Sequence, residues 1–323
     1  MPFDNVKLND GHEIPAIGFG TGSALYGKDA RDYVVQAVET GFSHVDTAQI
    51  YRNEDSVGEA IRDTGLSRKE LFVTTKYGSG PIQETVRESL TKLGLEYVNL
   101  YLIHFPTAIE NDVEGGWREF EKIKEDGLAK SIGVSNFNVE QLERLVKIAK
   151  VKPAVNQIRF HPYNYAEHRS LLEYSAKHGI VTEAYGSLAP ITSLPGGPVD
   201  APVNAAAKRL GITPTQAILL WVRAKGAVIV TSVPPIPLSP SPQSLILKSR
   251  TSRSEQHLKE YLAVADLPSL TSEEVAAIDE AGAQGPPKKL RQKIWHAVGT
   301  LAATAAVYTL VSLLRKAGAS AAL

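Results

Sequence analysis

The sequence predicts an α/β protein in which eight parallel strands and their helices close into a (β/α)8 barrel. Three observations lead to this prediction. Short apolar runs recur along the chain, each is followed by a helical pattern, and a length of 323 residues suits one such barrel. Alternating strands and helices indicate a parallel sheet covered by helices, and eight repeats favour a closed sheet over an open one.

The predicted strands are short apolar runs that start roughly 25 to 30 residues apart, except for a wider last gap, as repeated βα units do. They are Ile17–Gly20, His44–Asp46, Leu71–Thr75, Leu100–Ile103, Ile132–Ser135, Asn156–Ile158, Val181–Ala184 and Val228–Val230. Upstream of them, Val6–Leu8 and Glu13–Pro15 flank an Asp10-Gly11 pair. Because Asp-Gly is a strong tight-turn signal, these two segments predict an N-terminal β-hairpin.

The clearest helical patterns begin at a capping residue or at a proline. They cover residues 29–40, 53–63, 81–93 and 138–150. Asn53 and Asn138 are suitable N-caps, and Pro81 suits a first helical turn. Gly41 and Gly94 are expected to end the first and third of these helices.

We predict that residues 1–287 form the barrel and that two segments do not fit it. Ser232–Arg250 is crowded with proline and serine, so it is expected to be a disordered insertion or a long surface loop. Residues 288–323 form a basic and then apolar helical tail. Within it, Ile294–Leu314 lacks Asp, Glu, Lys and Arg and matches the length of a bilayer crossing. We expect a membrane anchor there, with a helix packed on the barrel or an interfacial helix as the alternatives.

Composition excludes several classes of protein. Lysine plus arginine and aspartate plus glutamate each total 35, so the formal net charge is zero and no nucleic-acid partner is expected. The chain has no cysteine, which excludes disulfides, thiolate metal sites and cysteine nucleophiles. We expect no secretory signal, because the N-terminal residues are polar and include no apolar run. We expect a cytoplasmic protein, or one anchored to an intracellular membrane with its barrel facing the cytosol, and a monomer or weak dimer.

Four titratable residues lie at or near the ends of three neighbouring strands. Asp46 ends the second strand, Lys76 follows the third, His104 follows the fourth, and Tyr51 lies shortly after Asp46. The carboxyl ends of barrel strands share one face, which is where active sites of such barrels lie. The sequence therefore predicts a catalytic group of Tyr51, Lys76, Asp46 and His104.

The residue types indicate reduction of a carbonyl. Tyrosine titrates near pH 10, but an ammonium held beside it by a carboxylate should lower its pKa and make it a usable acid. Tyr51 would then protonate the carbonyl oxygen while His104 orients it. These two residues and Phe105 are the expected substrate contacts, and Trp117 and the loop near Pro190 are expected to complete a partly apolar pocket. A hydride cofactor would supply the electrons, and no metal site is expected.

Three sequence runs resemble signatures of the aldo-keto reductase superfamily, in particular its aldose and aldehyde reductases. They are residues 41–48 followed by Tyr51, Asn53 and Glu54; residues 133–137; and residues 156–157 followed by His161-Pro162-Tyr163. The resemblance covers residues 6 to 231 and resumes from Thr251 to Gly285. It implies a TIM barrel that reduces aldehydes, ketones or aldose sugars with NAD(P)H.

The resemblance also implies how the dinucleotide is held. Ser135, Asn136 and Gln157 would bind the nicotinamide carboxamide, and Tyr185 would stack on its ring. The implied cofactor contacts are Thr21, Asp46, Ser135, Asn136, Gln157, Tyr185, Leu188, Thr251, Ser252, Arg253 and His257. We favour NADP(H) over NAD(H), with Arg253 as the cation for the 2′-phosphate, although Thr251 and His257 stand where many NADPH-preferring members carry Lys and Arg.

Removing Ser232–Arg250 would join Thr231 to Thr251 and restore a family-like run. We therefore hypothesise that the block is a retained intron or a recent insertion beside the cofactor phosphates. Two alternatives to the reductase stay open. The chain could be a cofactor-binding regulatory protein with little turnover, or the inactive product of a mis-spliced gene.

Overall fold

The computed structural model describes residues 4–232 and 255–287. Eight parallel strands form a closed barrel, which confirms the predicted fold class. In barrel order the strands are β3 (Ile17–Gly20), β4 (His44–Asp46), β5 (Phe72–Tyr77), β6 (Val98–Ile103), β7 (Ala129–Ser135), β8 (Val155–Arg159), β9 (Val181–Tyr185) and β10 (Val228–Thr231), and β10 pairs back with β3. The predicted hairpin is also present, as β1 (Asn5–Lys7) paired antiparallel with β2 (Glu13–Pro15).

Helices cover the outside of the barrel. They are α1 (Arg31–Thr40), α2 (Glu54–Asp63), α3 (Ile82–Leu93), α4 (Val113–Glu125), α5 (Val139–Ile148), α6 (Tyr165–Lys177), the short α7 (Ala189–Thr192), α8 (Asp200–Leu210), α9 (Pro214–Ala224), α10 (255–263) and α11 (Ser272–Ala283). Local chemistry fixes their ends. Asn138 caps α5 by accepting from the Gln141 N–H at 2.9 Å, and Gly41 ends α1 with a φ of 122°.

The observed strands agree closely with the predicted ones. β3 and β4 match residue for residue, whereas the other six extend by one or more residues beyond the predicted runs. The extensions contain polar residues such as Asn99 and Lys130, which an apolar pattern does not include. Asn99 is held in the sheet because its Oδ1 accepts from the Val73 N–H at 2.9 Å.

The hairpin covers the end of the barrel where the strands begin. Leu8 and Ile14 are buried against barrel residues such as Leu100 and Val228. A salt bridge of 2.6 Å from Lys124 to Asp10 ties the hairpin turn to α4. Apolar side chains therefore close the end of the barrel where the strands begin. The predicted catalytic residues lie toward the opposite end, which is the mouth of the barrel.

Some predictions fall outside the described residues. These are the greater part of the proline-rich block, the contacts Thr251, Ser252 and Arg253, and the whole tail 288–323 with its expected anchor. Among the residues that are described, no helix is long and apolar enough to cross a membrane.

Candidate active site

A cavity of about 800 Å³ opens at the mouth of the barrel. Its wall includes Asp46, Tyr51, Gln157, Tyr185 and Leu188, all of which the sequence had singled out. The cavity also reaches Ser232, the first residue of the proline-rich block and the only one of the block that the structure describes. A volume of this size lies within the range of small-molecule and cofactor sites.

Lys76 lies at the centre of the catalytic group and is fully buried. Its Nζ lies 2.6 Å from Asp46 Oδ1, 2.9 Å from the Thr47 carbonyl oxygen and 3.4 Å from the Tyr51 hydroxyl. Burial lowers the pKa of Lys76, but Asp46 and Tyr51 together raise it by more than burial lowers it. The net shift of this pKa is therefore upward. The ammonium is therefore a fixed positive charge directly beside the phenol.

The pKa of Tyr51 is raised, which corrects the sequence-based expectation that it would be lowered. Burial of the phenol is the largest cause of the raised pKa. The ammonium of Lys76 lowers the pKa by less than burial raises it, and Asp46 offsets part of this lowering. Tyr51 therefore keeps its proton at neutral pH. The ammonium remains close enough to stabilise a phenolate once the proton has left.

His104 completes the group. Its ring packs edge-on against Tyr51 with centroids 5.5 Å apart and stacks on Phe105 at 4.5 Å. Burial and then the charge of Lys76 lower the pKa of His104 to about 3. The imidazole is therefore neutral at physiological pH and offers one donor and one acceptor nitrogen.

A chain of hydrogen bonds links the residues expected to hold the carboxamide. The Tyr185 hydroxyl donates to Asn136 Oδ1 at 2.9 Å, and Asn136 Nδ2 donates to the His104 carbonyl oxygen at 3.0 Å. Ser135 Oγ donates to the Gln157 carbonyl oxygen at 2.8 Å. Asn136 has a φ of 63°, a left-handed conformation that asparagine tolerates better than most residues. Tyr185 and Gln157 thus line the cavity, and Asn136 and Ser135 are hydrogen-bonded to them.

Other predicted contacts are placed differently. Thr21 is fully buried with its hydroxyl 3.4 Å from Asn53 Oδ1, and the cavity is lined instead by its neighbours Gly20 and Gly22. His257 is half-buried and stacks on Tyr261, itself a wall residue, so it lies at the edge of the cavity.

Phe105 is 41% exposed and its ring extends the His104 surface. The expectation for Trp117 was wrong. Its ring is fully buried beneath α4, stacks on Phe120, and donates from Nε1 to the Val151 carbonyl oxygen at 3.0 Å. An indole held on the outside of the barrel wall does not line the pocket.

Comparison with known proteins decides the family. Residues 16–283 match the family model described as the aldo/keto reductase family. The chain belongs to this family. An aldo-keto reductase of Mycolicibacterium vanbaalenii is 39% identical over 280 residues, which cover 85% of this chain and 90% of that protein. The NAD/NADP-dependent indole-3-acetaldehyde reductase of Schizosaccharomyces pombe is 36% identical over 69% of this chain and 82% of its own length.

Solved aldo/keto reductases share the fold. The crystal structure of an aldo-keto reductase from Bombyx mori in complex with NADP gives a TM-score of 0.73 at 31% identity, covering 86% of this chain and 92% of that one. The aldo/keto reductase from Brucella melitensis gives 0.71 at 34% identity, covering 86% and 99%. Members of the family use NAD(P)H, and the members named here support carbonyl reduction as the activity of this aldo/keto reductase.

Sequence reasoning missed two charged residues of this aldo/keto reductase site, Arg159 and Glu183, and one close backbone contact. Gly22 packs so closely on Tyr51 that a Cβ there would lie 2.8 Å from the ring atom Cζ. Arg159 is the one Lys or Arg among the described residues of the cavity wall, and its Cγ lies beside Gly186. Glu183 is fully buried below the mouth. A charged residue inside a barrel strand was the available signal for Glu183, because both faces of such strands are covered.

The described site fits a nicotinamide dinucleotide. Ser135, Asn136 and Gln157 offer amide and hydroxyl groups at one place, and Tyr185 offers a ring beside them. Arg159 offers a cation for phosphate. Among the described residues, no cluster of three or more His, Asp or Glu could hold a metal ion.

Proposed function

We propose that the protein reduces aldehydes and ketones to alcohols, with NAD(P)H as the hydride donor and Tyr51 as the general acid. The observation that supports this most strongly is the position of Lys76 Nζ, 2.6 Å from Asp46 and 3.4 Å from the hydroxyl of Tyr51, two residues that line the cavity. A bound dinucleotide would supply the hydride. Ser135, Asn136, Gln157 and Tyr185 would hold its nicotinamide end.

The residues of the chain supply the proton and stabilise the charge. As the carbonyl carbon gains a hydride, its oxygen gains negative charge and takes the proton from Tyr51 Oη, which leaves a phenolate. Lys76, which is ion-paired with Asp46, stabilises the one negative charge that the phenolate adds to this group. His104, held neutral by burial, donates a hydrogen bond to the same oxygen and orients it.

The apolar part of the mouth supports carbonyl compounds with an aromatic or aliphatic group as substrates. Phe105 exposes its ring beside His104, and Leu188 and Ala189 line the cavity. The name of one relative, an indole-3-acetaldehyde reductase, supports the same class. The glyoxal reductase of Bacillus subtilis, which is 37% identical over 70% of this chain, supports aldehydes in general. Aldose sugars are a second substrate class to test.

For the cofactor, we propose NADP(H) in preference to NAD(H). Arg253 is the proposed partner of the 2′-phosphate, and Thr251, Ser252 and His257 are further proposed cofactor contacts. The NADP complex of the Bombyx mori protein supports this choice, although the fission yeast relative is named for both cofactors. Arg253→Gln should weaken NADPH binding about tenfold and leave NADH binding unchanged.

The test is oxidation of NADPH with a panel of aldehydes, ketones and aldoses by the wild type and Tyr51→Phe. Removing the hydroxyl should lower kcat by a factor on the order of 100 to 10,000 and leave NADPH affinity within about twofold. An unchanged turnover in Tyr51→Phe would refute the assigned acid.

The second candidate is a dinucleotide-binding regulatory protein with little turnover. One observation favours it, since Ser232 lines the cavity and the proline-rich block therefore starts at the cavity wall. Comparing the full chain with one that lacks Ser232–Arg250 separates the two. Activity in both supports the reductase; activity in the shortened chain alone supports a disabling insertion; binding without turnover in both supports the regulatory protein.

The tail and the subunit state are separate proposals. We propose that Ile294–Leu314 anchors the barrel to an intracellular membrane on its cytosolic side, and that the protein is otherwise cytoplasmic and a monomer or weak dimer. Fractionation of the full chain against a chain ending at Gln292 tests the anchor. Equal recovery of both in the supernatant would contradict it, and light scattering of the shorter chain measures the subunit state.

A further inference from the structure

Glu183 is a carboxyl group that the proposed chemistry does not use. It lies in the middle of β9 with no exposed surface, and in the sheet register it is paired with Gln157 on one side and Val228 on the other. Its Oε1 has no hydrogen-bond partner among the described residues. Burying a polar atom without a hydrogen-bond partner costs free energy, and an apolar residue at the same place would avoid this cost. The presence of a carboxyl group here therefore calls for an explanation.

Among the residues that the structure describes, the one hydrogen-bond donor to this carboxyl is the side-chain amide of Gln157. Gln157 Nε2 lies 3.1 Å from Glu183 Oε2 and 2.8 Å from Asp46 Oδ2. An amide nitrogen carries two N–H groups, so each carboxyl accepts one of them. The amide is thereby held between two acceptors that come from different strands.

This arrangement determines which way the Gln157 amide faces. Asp46 is ion-paired with Lys76 and can only accept, so the nitrogen must point toward it. The oxygen of a planar amide then points away from the nitrogen, and no described residue donates to Gln157 Oε1. Because Gln157 lines the cavity, its oxygen is the group left for a ligand.

The protonation state of Glu183 is also suited to this place. Burial, and then the nearby Asp46, raises the pKa of Glu183 to about 8, so the carboxyl mostly keeps its proton at neutral pH. Its carbonyl oxygen still accepts from Gln157 in that state. The Lys76–Asp46 pair below the mouth therefore stays balanced, and the Tyr51 phenolate is not opposed by a second buried negative charge.

We propose that Glu183 is a positioning residue that fixes the Gln157 amide with its nitrogen toward the two carboxyls and its oxygen toward the mouth, where that oxygen accepts a hydrogen bond from the carboxamide N–H of the dinucleotide. The inference rests on the proposed function, because it assigns a group to the nicotinamide end of that site. Glu183 itself touches neither the dinucleotide nor the substrate.

The test compares two dinucleotides that differ only at the carboxamide. NADP⁺ carries a carboxamide, whereas its 3-acetylpyridine analogue carries a methyl ketone, which accepts a hydrogen bond but cannot donate one. Calorimetric titration gives the dissociation constant of each. In the wild type, NADP⁺ should bind roughly 3- to 10-fold more tightly than the analogue, which corresponds to one net hydrogen bond. In Glu183→Met this ratio should fall to about 1, because the amide keeps only its bond to Asp46 and can pivot about it, so that its oxygen is no longer held toward the mouth.

Two further variants separate positioning from a general loss of structure. Glu183→Gln keeps an acceptor oxygen, so its ratio should stay within about twofold of the wild-type value. Glu54→Met is the matched control: Glu54 is also a buried carboxyl, but it accepts from Thr75 and Ser89 outside the barrel and should leave the ratio unchanged. Circular dichroism checks the folding of each variant, and Glu183→Leu replaces the methionine variant if that one does not fold.

The outcomes are distinct. A wild type that binds neither dinucleotide would contradict the proposed function. A wild type that binds both equally would overturn the inference alone, because Gln157 Oε1 would then not meet the carboxamide. A wild-type ratio retained in Glu183→Met would also overturn it, because the amide would not depend on Glu183. Loss of the ratio in Glu183→Met, with retention in Glu183→Gln and Glu54→Met, is the expected result.

Discussion

Replacing Lys76 with methionine tests the buried ion pair at the centre of the site. Methionine matches the length of the lysine stem but removes the charge. In the wild type both partners are buried, with Lys76 at 0% and Asp46 at 2% exposure, and their atoms lie 2.6 Å apart. In the variant, Asp46 would keep the bond from Gln157 Nε2 at 2.8 Å but would lose its counter-ion.

The cost follows from that burial. Removing one partner of a buried pair leaves an uncompensated charge and destabilises a protein by about 3–5 kcal/mol. The double variant Lys76→Met/Asp46→Asn removes both charges, so we expect it to recover at least about 1 kcal/mol of the loss. Turnover should fall in both variants, because neither retains an ammonium beside Tyr51.

Urea unfolding followed by circular dichroism measures the free energy of unfolding of the wild type and the two variants. If Lys76→Met unfolds within about 1 kcal/mol of the wild type, the reasoning is refuted, because the lysine would then behave like an exposed partner. A double variant less stable than the single one would likewise contradict the pairing, since it would show that Asp46 gains nothing from losing its charge.

Four further predictions follow from single features of the structure. Gly22→Ala should lower kcat at least about tenfold while dinucleotide affinity is kept, because a Cβ at 2.8 Å displaces the Tyr51 ring; equal kcat would contradict this contact. Arg159→Gln should weaken dinucleotide binding about tenfold, less so at high salt, and calorimetry at two salt concentrations measures both effects. Because the pKa of His104 is lowered to about 3, kcat/KM for reduction should show no ionisation of this residue between pH 5 and 8, and a histidine-type inflection that disappears in His104→Gln would contradict its burial. Burial also lowers the pKa of His44 to about 4, below its value of about 6.5 in the unfolded chain, so its contribution is complete above pH 6.5 and is lost as the pH falls toward 4. Urea unfolding at pH 7 and pH 5 should show this loss, roughly 2 kcal/mol from His44 alone, and equal stability at both would count against it.

Much of the fold and part of the site could be predicted because barrel geometry links position to sequence. Once the strands are recognised, Asp46, Lys76 and His104 must reach the same end of the barrel, since each lies at the carboxyl end of a strand. The strand ends were harder to predict. β7 begins at Ala129, three residues before the predicted start at Ile132. The prediction started too late because Lys130 lies in the strand, and an apolar pattern does not include a lysine.

The remainder depends on burial, which sequence patterns do not give. The direction of the Tyr51 pKa shift was wrong because a neighbouring lysine can be seen in the sequence, whereas desolvation of the phenol cannot. Trp117 was misplaced for a related reason, since an indole on an amphipathic helix packs toward the barrel wall and not toward its mouth. The Gly22 contact with Tyr51 is a close approach of backbone to ring, and only coordinates show it.

The N-terminal hairpin has a consequence for how protons enter and leave the protein. Leu8 and Ile14 pack across the end of the barrel where the strands begin, and Asp10 of the hairpin is ion-paired with Lys124. This end of the barrel is therefore covered, and the mouth is the open end. Proton exchange between solvent and the buried Lys76 or Glu183 must then pass the mouth, which the dinucleotide would itself cover. Asp10→Ala would remove the ion pair with Lys124 and loosen the hairpin, which would let water reach the covered end of the barrel. With the dinucleotide bound, backbone amide hydrogen exchange at that end should then become faster.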